Sequence, residues 1–207
     1  MKLILLGKQT SGKGTQAKIL KAKLKIPHIS TGDIFRDNVK KQTILGKKVK
    51  KLIDSGTLVP DSLTTAIIKD RLKASDCKKG FILDGYPRNI VQAKSLSKFT
   101  DIDKVIEIAV PCQEATKRML NRRTCTKCGH IYNLYTMPKP KNPNVCDKDH
   151  SKLFQREDDT RGPIKKRLDT YKKETLPLKK YYKDRLAIVK GTNTIKQVTS
   201  NILAILK

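Results

Sequence analysis

The feature that most constrains the fold is a short apolar run that breaks directly into a glycine loop. Leu3-Ile4-Leu5-Leu6 leads into Gly7-Lys8-Gln9-Thr10-Ser11-Gly12-Lys13-Gly14-Thr15, and the periodic segment Ala17 to Leu24 follows. This order reads as strand, loop and helix. The loop matches G-x-x-x-x-G-K, in which glycines let backbone N–H groups converge on phosphate oxygens. The helix behind it points its positive end at them, and a lysine at the place of Lys13 reaches the β and γ phosphates. The strict pattern puts Ser or Thr right after the lysine, whereas here Gly14 precedes Thr15. Thr15 is therefore expected on a phosphate rather than as a direct Mg2+ ligand.

The apolar pattern then recurs. Phe81-Ile82-Leu83 ends at Asp84-Gly85, Val105 to Val110 stops at Pro111, and Leu186 to Val189 stops near Gly191. Helical stretches fill the gaps, among them Ala115 to Asn121 and Pro163 to Leu176. Short continuous apolar strands alternating with helices imply an α/β fold whose parallel sheet is covered on both faces. Ligands of such sheets bind beyond the carboxyl ends of the strands, where the polar motifs fall.

A chain of 207 residues suits one domain with room for an insertion. No apolar run approaches the roughly 20 residues of a membrane span. The start, Met1-Lys2 and then a strand, has no secretory pattern, so a cytoplasmic location is expected. The formal charge of +27 invites a polyanionic partner. The 36 lysines are nevertheless spread along the chain, as solvated surface usually is, whereas several of the 10 arginines cluster. Arg118, Arg122 and Arg123 lie before one segment and Arg156, Arg161 and Arg167 after it, which places planar phosphate-binding forks locally.

Two segments break the alternation. Residues 30–59 read as a helical insertion that begins at Ser30-Thr31-Gly32-Asp33. Thr124 to Gln155 holds three cysteines and three prolines with little helical period, and reads as an inserted mini-domain without a core of its own. Its Cys125-x-x-Cys128 and Cys146-x-x-Asp149 have the spacing of two knuckles presenting four ligands to one tetrahedral ion. Asp147 and His150 compete with Asp149 for the fourth position. Four protein ligands close the shell, which makes the metal structural. Cys77 and Cys112 read as small buried apolar residues.

Taken together, the motifs resemble the adenylate kinase family over essentially the full length. The residues that carry the resemblance are Gly12-Lys13-Gly14-Thr15-Gln16, Ser30-Thr31-Gly32-Asp33 with Arg36, and Asp84-Gly85-Tyr86-Pro87-Arg88 with Gln92. Arg122-Arg123, Arg156-Glu157-Asp158-Asp159 and Arg167 with Tyr171 follow in order. The family usually has Pro and Gly where Gln9 and Thr10 stand, so donor affinity is the property this departure touches.

The resemblance implies an ATP:AMP phosphotransferase giving two ADP. Its fold would be a P-loop parallel sheet flanked by helices, with a helical AMP-binding insertion and a zinc-bearing lid insertion. The implied division is a core of 1–29, 60–120 and 160–207, an NMP-binding insertion of 30–59 and a lid of 121–159. The implied catalytic set is Lys13, Asp84, Arg88, Arg122, Arg156 and Arg167. The implied ATP contacts are Thr10, Ser11, Gly12, Lys13, Gly14, Thr15, Arg118, Arg122, Ile131, Tyr132 and Asn193. The implied AMP contacts are Thr31, Arg36, Thr57, Leu58, Val59, Gly85, Arg88, Gln92, Arg156 and Arg167. Asp84, a carboxylate suited to a hard cation, would hold Mg2+ through water. Asp33 reads as a helix cap, Asp158 and Asp159 as orienting lid arginines, and His28 as structural or exposed. The family's metal-bearing lids include a Cys-Cys-Cys-Asp version, which makes Zn2+ the implied ion and Cys125, Cys128, Cys146 and Asp149 its ligands.

Two alternatives share these features. A GTP:AMP phosphotransferase or broad-specificity nucleoside monophosphate kinase would differ only in base contacts. A zinc-ribbon nucleic-acid binder would explain the charge and the knuckles, but not a phosphate loop. It would also lack aromatics for base stacking, since the chain has no Trp and 5% aromatic residues. No specific nucleic-acid or membrane partner is expected, and a monomer is the default with the oligomeric state open.

Overall fold

The computed structural model describes all 207 residues, Met1–Lys207. In chain order the elements are β1 (Lys2–Leu6), α1 (Lys13–Leu24), β2 (His28–Ser30), α2 (Thr31–Lys40), α3 (Ile44–Asp54), α4 (Asp61–Leu72), β3 (Phe81–Asp84), α5 (Ile90–Ser97) and β4 (Lys104–Ala109). They continue with α6 (Cys112–Leu120), β5 (Arg122–Cys125), β6 (Ile131–Asn133), β7 (Leu153–Phe154), α7 (Arg161–Thr170), α8 (Leu178–Tyr181), β8 (Leu186–Lys190) and α9 (Ile195–Ile205). No helix is long and apolar enough to cross a membrane.

Five strands form one sheet in the order β2-β3-β1-β4-β8, every pair parallel. Because side chains alternate across a strand, the apolar run of β1 serves two cores. Ile4 and Leu6 join Leu83, Tyr86, Leu96 and Leu178 on one face. Leu3 and Leu5 join Leu20, Ile82, Ile106 and Ile202 on the other. A strand buried on both faces favours apolar residues throughout, which is why β1 and β3 read as continuous runs; β4 carries one buried exception, Glu107, held by Lys179 at 2.7 Å and by the Tyr171 hydroxyl. Each fully buried Leu or Ile contributes about 1.5–3 kcal/mol relative to exposure.

The register decides where the site lies. Leu5 and Ser30 are both aligned with Asp84, so the ends of β1, β2 and β3 deliver Gly7, Thr31 and Gly85 to one edge. Local chemistry starts the helices there. Ser30 accepts from the Asp33 N–H to cap α2, Thr43 from Gly46 to cap α3, and Asn89 from Gln92 to cap α5. Asp33 thus lies in the first turn of α2 with Ser30 as the cap, and its own carboxylate holds Arg36 at 2.6 Å. A side chain at Gly46 would come within 2.1 Å of the Asn38 carbonyl, so α2 and α3 cross too closely for any other residue.

Four features differ from the expectations. Strand β2 has only three residues and no apolar run, and its pairing with β3 alone reveals it. The 124–155 segment is not coreless: β6-β5-β7 form an antiparallel sheet, and Cys125, Tyr132, Cys146 and Leu153 bury one another beneath it. Of the other two cysteines, Cys77 is buried as expected, whereas Cys112 is exposed at the start of α6. The helix expected to run to Leu176 ends as α7 at Thr170 and widens into a π-turn over Tyr171–Thr175.

Candidate active site

The phosphate loop is held open by backbone that side chains tolerate poorly. Gly7 has φ 137° and an added Cβ would lie 2.5 Å from the Ile108 carbonyl, while Gly12 turns into α1 with φ 103°. Thr10 adopts φ 56°, a left-handed conformation that is rare for a β-branched residue. Its hydroxyl lies 2.6 Å from the Gln9 carbonyl and 3.0 Å from that of Ala115, which ties the loop to α6. Lys13 curls back over the loop and donates to the carbonyls of Gly7 at 2.6 Å and Lys8 at 2.7 Å.

Around this loop is a cavity of about 660 Å³. Its walls include Thr10, Ser11, Gly12, Lys13, Gly14 and Thr15 from the loop and α1, Arg118 and Arg122 from α6 and β5, Ile131 and Tyr132 from β6, and Asn193 before α9. Asp84, Gly85, Arg36, Arg88, Arg156 and Arg167 complete the ring. A smaller cavity of about 80 Å³ adjoins it, lined by Thr31, Thr57, Leu58, Val59 and Gln92 and sharing Arg36, Gly85, Arg88 and Arg167. The residues anticipated for the donor side thus line the first cavity. Those anticipated for the acceptor side line the second or the junction, apart from Arg156, which lines the first alone.

The cations are held in different ways. Arg122 meets Asp159 through two bonds of 2.7 and 2.6 Å, and Asp159 is fully buried. Arg167 reaches Asp158 at 3.0 Å and Asp159 at 3.2 Å. Arg118 pairs with Glu114 at 2.6 Å and donates to the Gly191 carbonyl at 3.1 Å. Arg156 donates to the Thr124 hydroxyl at 3.1 Å and Arg88 to the Gly85 carbonyl at 2.8 Å, and neither has a carboxylate partner. Desolvation, followed by neighbouring positive charge, holds both below the usual guanidinium range. Desolvation likewise lowers Lys13 from 10.5 to about 8, with Asp84 opposing and Arg88, Arg167 and Arg122 reinforcing the shift. Such a cluster of cations is relieved by a polyphosphate.

Some members were not legible. His28, read as structural or exposed, is half-buried with its Nε2 at 3.4 Å from Asp84, a pairing the sequence did not show. Asp61 accepts from Gln92 Nε2 at 2.7 Å, while Gln92 Oε1 accepts from the Arg88 N–H at 2.8 Å, so Gln92 is fixed at both ends. Gln9 lines both cavities. In the small antiparallel sheet, one ligand atom each from Cys125, Cys128, Cys146 and Asp149 lies within 4.8 Å of the others. Asp149, not Asp147 or His150, completes this cluster. His150 instead takes φ 56° in the turn, and Asp147 accepts from the Lys141 N–H.

A family model described as adenylate kinase matches residues 5–187. The chain belongs to the adenylate kinase family. It is 47% identical over 213 residues to an adenylate kinase of Clostridium botulinum strain Langeland, covering 100% of this chain and 98% of the relative. Similar likeness, 47% over 210 residues, extends to the adenylate kinases of Acetivibrio thermocellus and Caldicellulosiruptor bescii, covering 98% of this chain and 96% and 97% of theirs. As an adenylate kinase family member the chain is a nucleoside monophosphate kinase, with the parallel sheet and phosphate loop of that fold.

Proposed function

We propose that ATP binds along the larger cavity and AMP in the smaller one, and that a phosphoryl group crosses where they meet. The observation that carries this reading is convergence: Lys13, Arg88, Arg122, Arg156 and Arg167, from five separate parts of the chain, border one cavity beside Asp84. Phosphoryl transfer needs positioning and charge neutralisation more than a strong base. Lys13 and the loop N–H groups hold the donor phosphates, Arg36 and Arg88 the acceptor phosphate, and Arg122, Arg156 and Arg167 the group in transit. Arg118 lies beside the donor base, with Ile131, Tyr132 and Asn193 around it. Residues 30–59 act as the AMP-binding unit and 121–159 as a lid over the core.

Adenylate kinases use Mg2+ with ATP. The residues fit such a hard ion: Asp84 presents a carboxylate to the polar cavity that also holds Lys13, Gly14 and Thr15. Asp84 would hold Mg2+ through water, and the ion would supply charge neutralisation at the phosphates. The lid cluster fits zinc. A Zn–S bond of about 2.3 Å gives a tetrahedral edge of about 3.8 Å, and the Cys128 and Cys146 sulfurs are 3.7 Å apart. One zinc per chain is therefore expected by elemental analysis. Because two of the four core residues of the small sheet are ligand thiols, Cys146→Ser lowers the thermal midpoint by roughly 5–10 °C. Metal-free purified protein of unchanged midpoint would count against the staple.

Acceptor choice should be stricter than donor choice. Gln92 is anchored by Asp61 and the Arg88 backbone, and Thr31 donates to the Gly85 carbonyl at 2.9 Å, so the acceptor pocket is a fixed polar template. A mismatched base leaves such groups unpaired, whereas stacking beside Arg118 accepts any ring. Initial rates with four donors against AMP, then four acceptors against ATP, test the reading. AMP should exceed GMP, CMP and UMP by a wider margin than ATP exceeds its rivals, and equal permissiveness would favour the broad-specificity alternative.

The depressed Lys13 sets a pH dependence. Phosphates favour the charged ammonium, so ATP binding raises its pKa from about 8 and takes up a proton above that pH. Affinity for ATP therefore falls as pH climbs through about 8. Stability of the free protein has the opposite sign for this group: between about 8 and 10.5 the unfolded chain holds more protons, so the Lys13 contribution rises with pH. Calorimetric titrations in buffers of different ionisation enthalpy read the proton uptake directly.

A further inference from the structure

We propose that Gln9 contacts the phosphoryl group as it passes between the two nucleotides, a role that rests on the substrate reading above. Among the residues of the Gly7 to Thr15 loop, Gln9 alone lines both the larger cavity and the smaller one. It therefore stands at the junction that donor and acceptor phosphates must share, together with Arg36, Arg88 and Arg167.

Its side chain is unfinished in hydrogen-bonding terms. Gln9 Oε1 is buried and has no partner, whereas buried polar atoms are nearly always paired. The neighbouring Thr10 differs, because its hydroxyl is taken up by the carbonyls of Gln9 and Ala115. That bond, with the left-handed backbone of Thr10 at φ 56°, fixes the peptide from which Gln9 projects. The loop is thus anchored to α6 on one side of Gln9 while the carboxamide stays uncommitted.

A carboxamide has two donors and an acceptor at one end of a rotatable bond. Oε1 is the buried end, so Nε2 is the end left to present N–H groups to a phosphoryl oxygen. Unlike the arginines around it, the neutral amide adds a donor without adding to the crowded positive charge of the cleft. A donor aimed at charge that develops only during transfer stabilises the transition state more than the bound substrates, so its loss appears in kcat rather than in KM.

The test compares wild type, Gln9→Met, Gln9→Glu and Lys13→Met in one ATP and AMP assay, with thermal midpoints measured in parallel. Gln9→Met keeps the volume and removes the donor; kcat should fall about tenfold with both KM values within about threefold. Gln9→Glu turns a carboxylate toward the phosphates, and kcat should fall about a hundredfold or more. Wild-type kcat in Gln9→Met, or a loss expressed wholly in the KM for ATP, would overturn the proposal. If Lys13→Met is inactive while both Gln9 variants match wild type, the Gln9 contact alone fails. If wild type forms no ADP from ATP and AMP, the substrate reading itself fails.

Discussion

Replacing Lys13 with Met lowers phosphoryl transfer by about a thousandfold and leaves the thermal midpoint unchanged or raised. A single preorganised donor at a developing charge is worth about a hundred- to a thousandfold in rate, and a charged one at the phosphates belongs at the upper end. The fold does not need the charge. Burial and the nearby Arg88, Arg167 and Arg122 push the ammonium down to about 8, which means the folded protein holds it at a cost. Its bonds to the Gly7 and Lys8 carbonyls offset part of that cost, and a Met chain of similar length fills the same space. Steady-state kinetics and a melting curve on the same preparation separate the two effects. Near-wild-type turnover would remove the phosphate loop from the chemistry.

Asp159→Ala should be the most damaging single change in residues 121–159. Asp159 is fully buried, accepts two bonds from Arg122 and one from Arg167, and so holds two of the converging cations. Removing one partner of a buried pair leaves an uncompensated charge and costs about 3–5 kcal/mol. For a chain of this size that is a fall of roughly 10 °C in the midpoint. Turnover should fall with it, since Arg122 and Arg167 lose the carboxylate that aims them. The nearby Lys50–Glu157 contact at 3.3 Å is a natural control, because its side chains are 51% and 73% exposed. Exposed pairs contribute about 0–1 kcal/mol, so Glu157→Ala should barely move either quantity. Equal effects of the two substitutions would show that burial is not what makes Asp159 matter.

The sequence was informative where a single strand or loop carries its own signal. Strands β1 and β3 announce themselves because a strand covered on both faces has little room for polar residues, β4 does so despite its buried and partnered Glu107, and the phosphate loop announces itself by glycine spacing. Strand β2 does not, since its three residues contain one buried apolar side chain, Ile29, and follow Pro27. The antiparallel sheet β6-β5-β7 was hidden for a similar reason. Its strands run four, three and two residues, too short for alternation to show, and half of its four-residue core is thiols, with Leu153 the one aliphatic residue. Contacts between distant segments were the least legible. His28 meets Asp84 only because β2 lies beside β3, and Asp61 steadies Gln92 only because α4 lies beside α5. The position of Gln9 at the junction of two cavities depends on α2 and α7 lining the same cavities as the loop, which no local pattern contains. The arginines were readable individually as phosphate-binding forks, but which of them pair with a carboxylate, as Arg122 and Arg167 do with Asp159, and which, like Arg88 and Arg156, do not appears only in three dimensions.

The most direct measurement is the phosphorus spectrum of the purified protein incubated with Mg-ATP and AMP, followed until it stops changing. The expected result is loss of ATP and AMP in equal amounts with ADP appearing at twice that amount, and the same equilibrium approached from ADP alone. Conversion that needs no AMP, with inorganic phosphate as product, would contradict phosphoryl transfer between two nucleotides as the chemistry of this site.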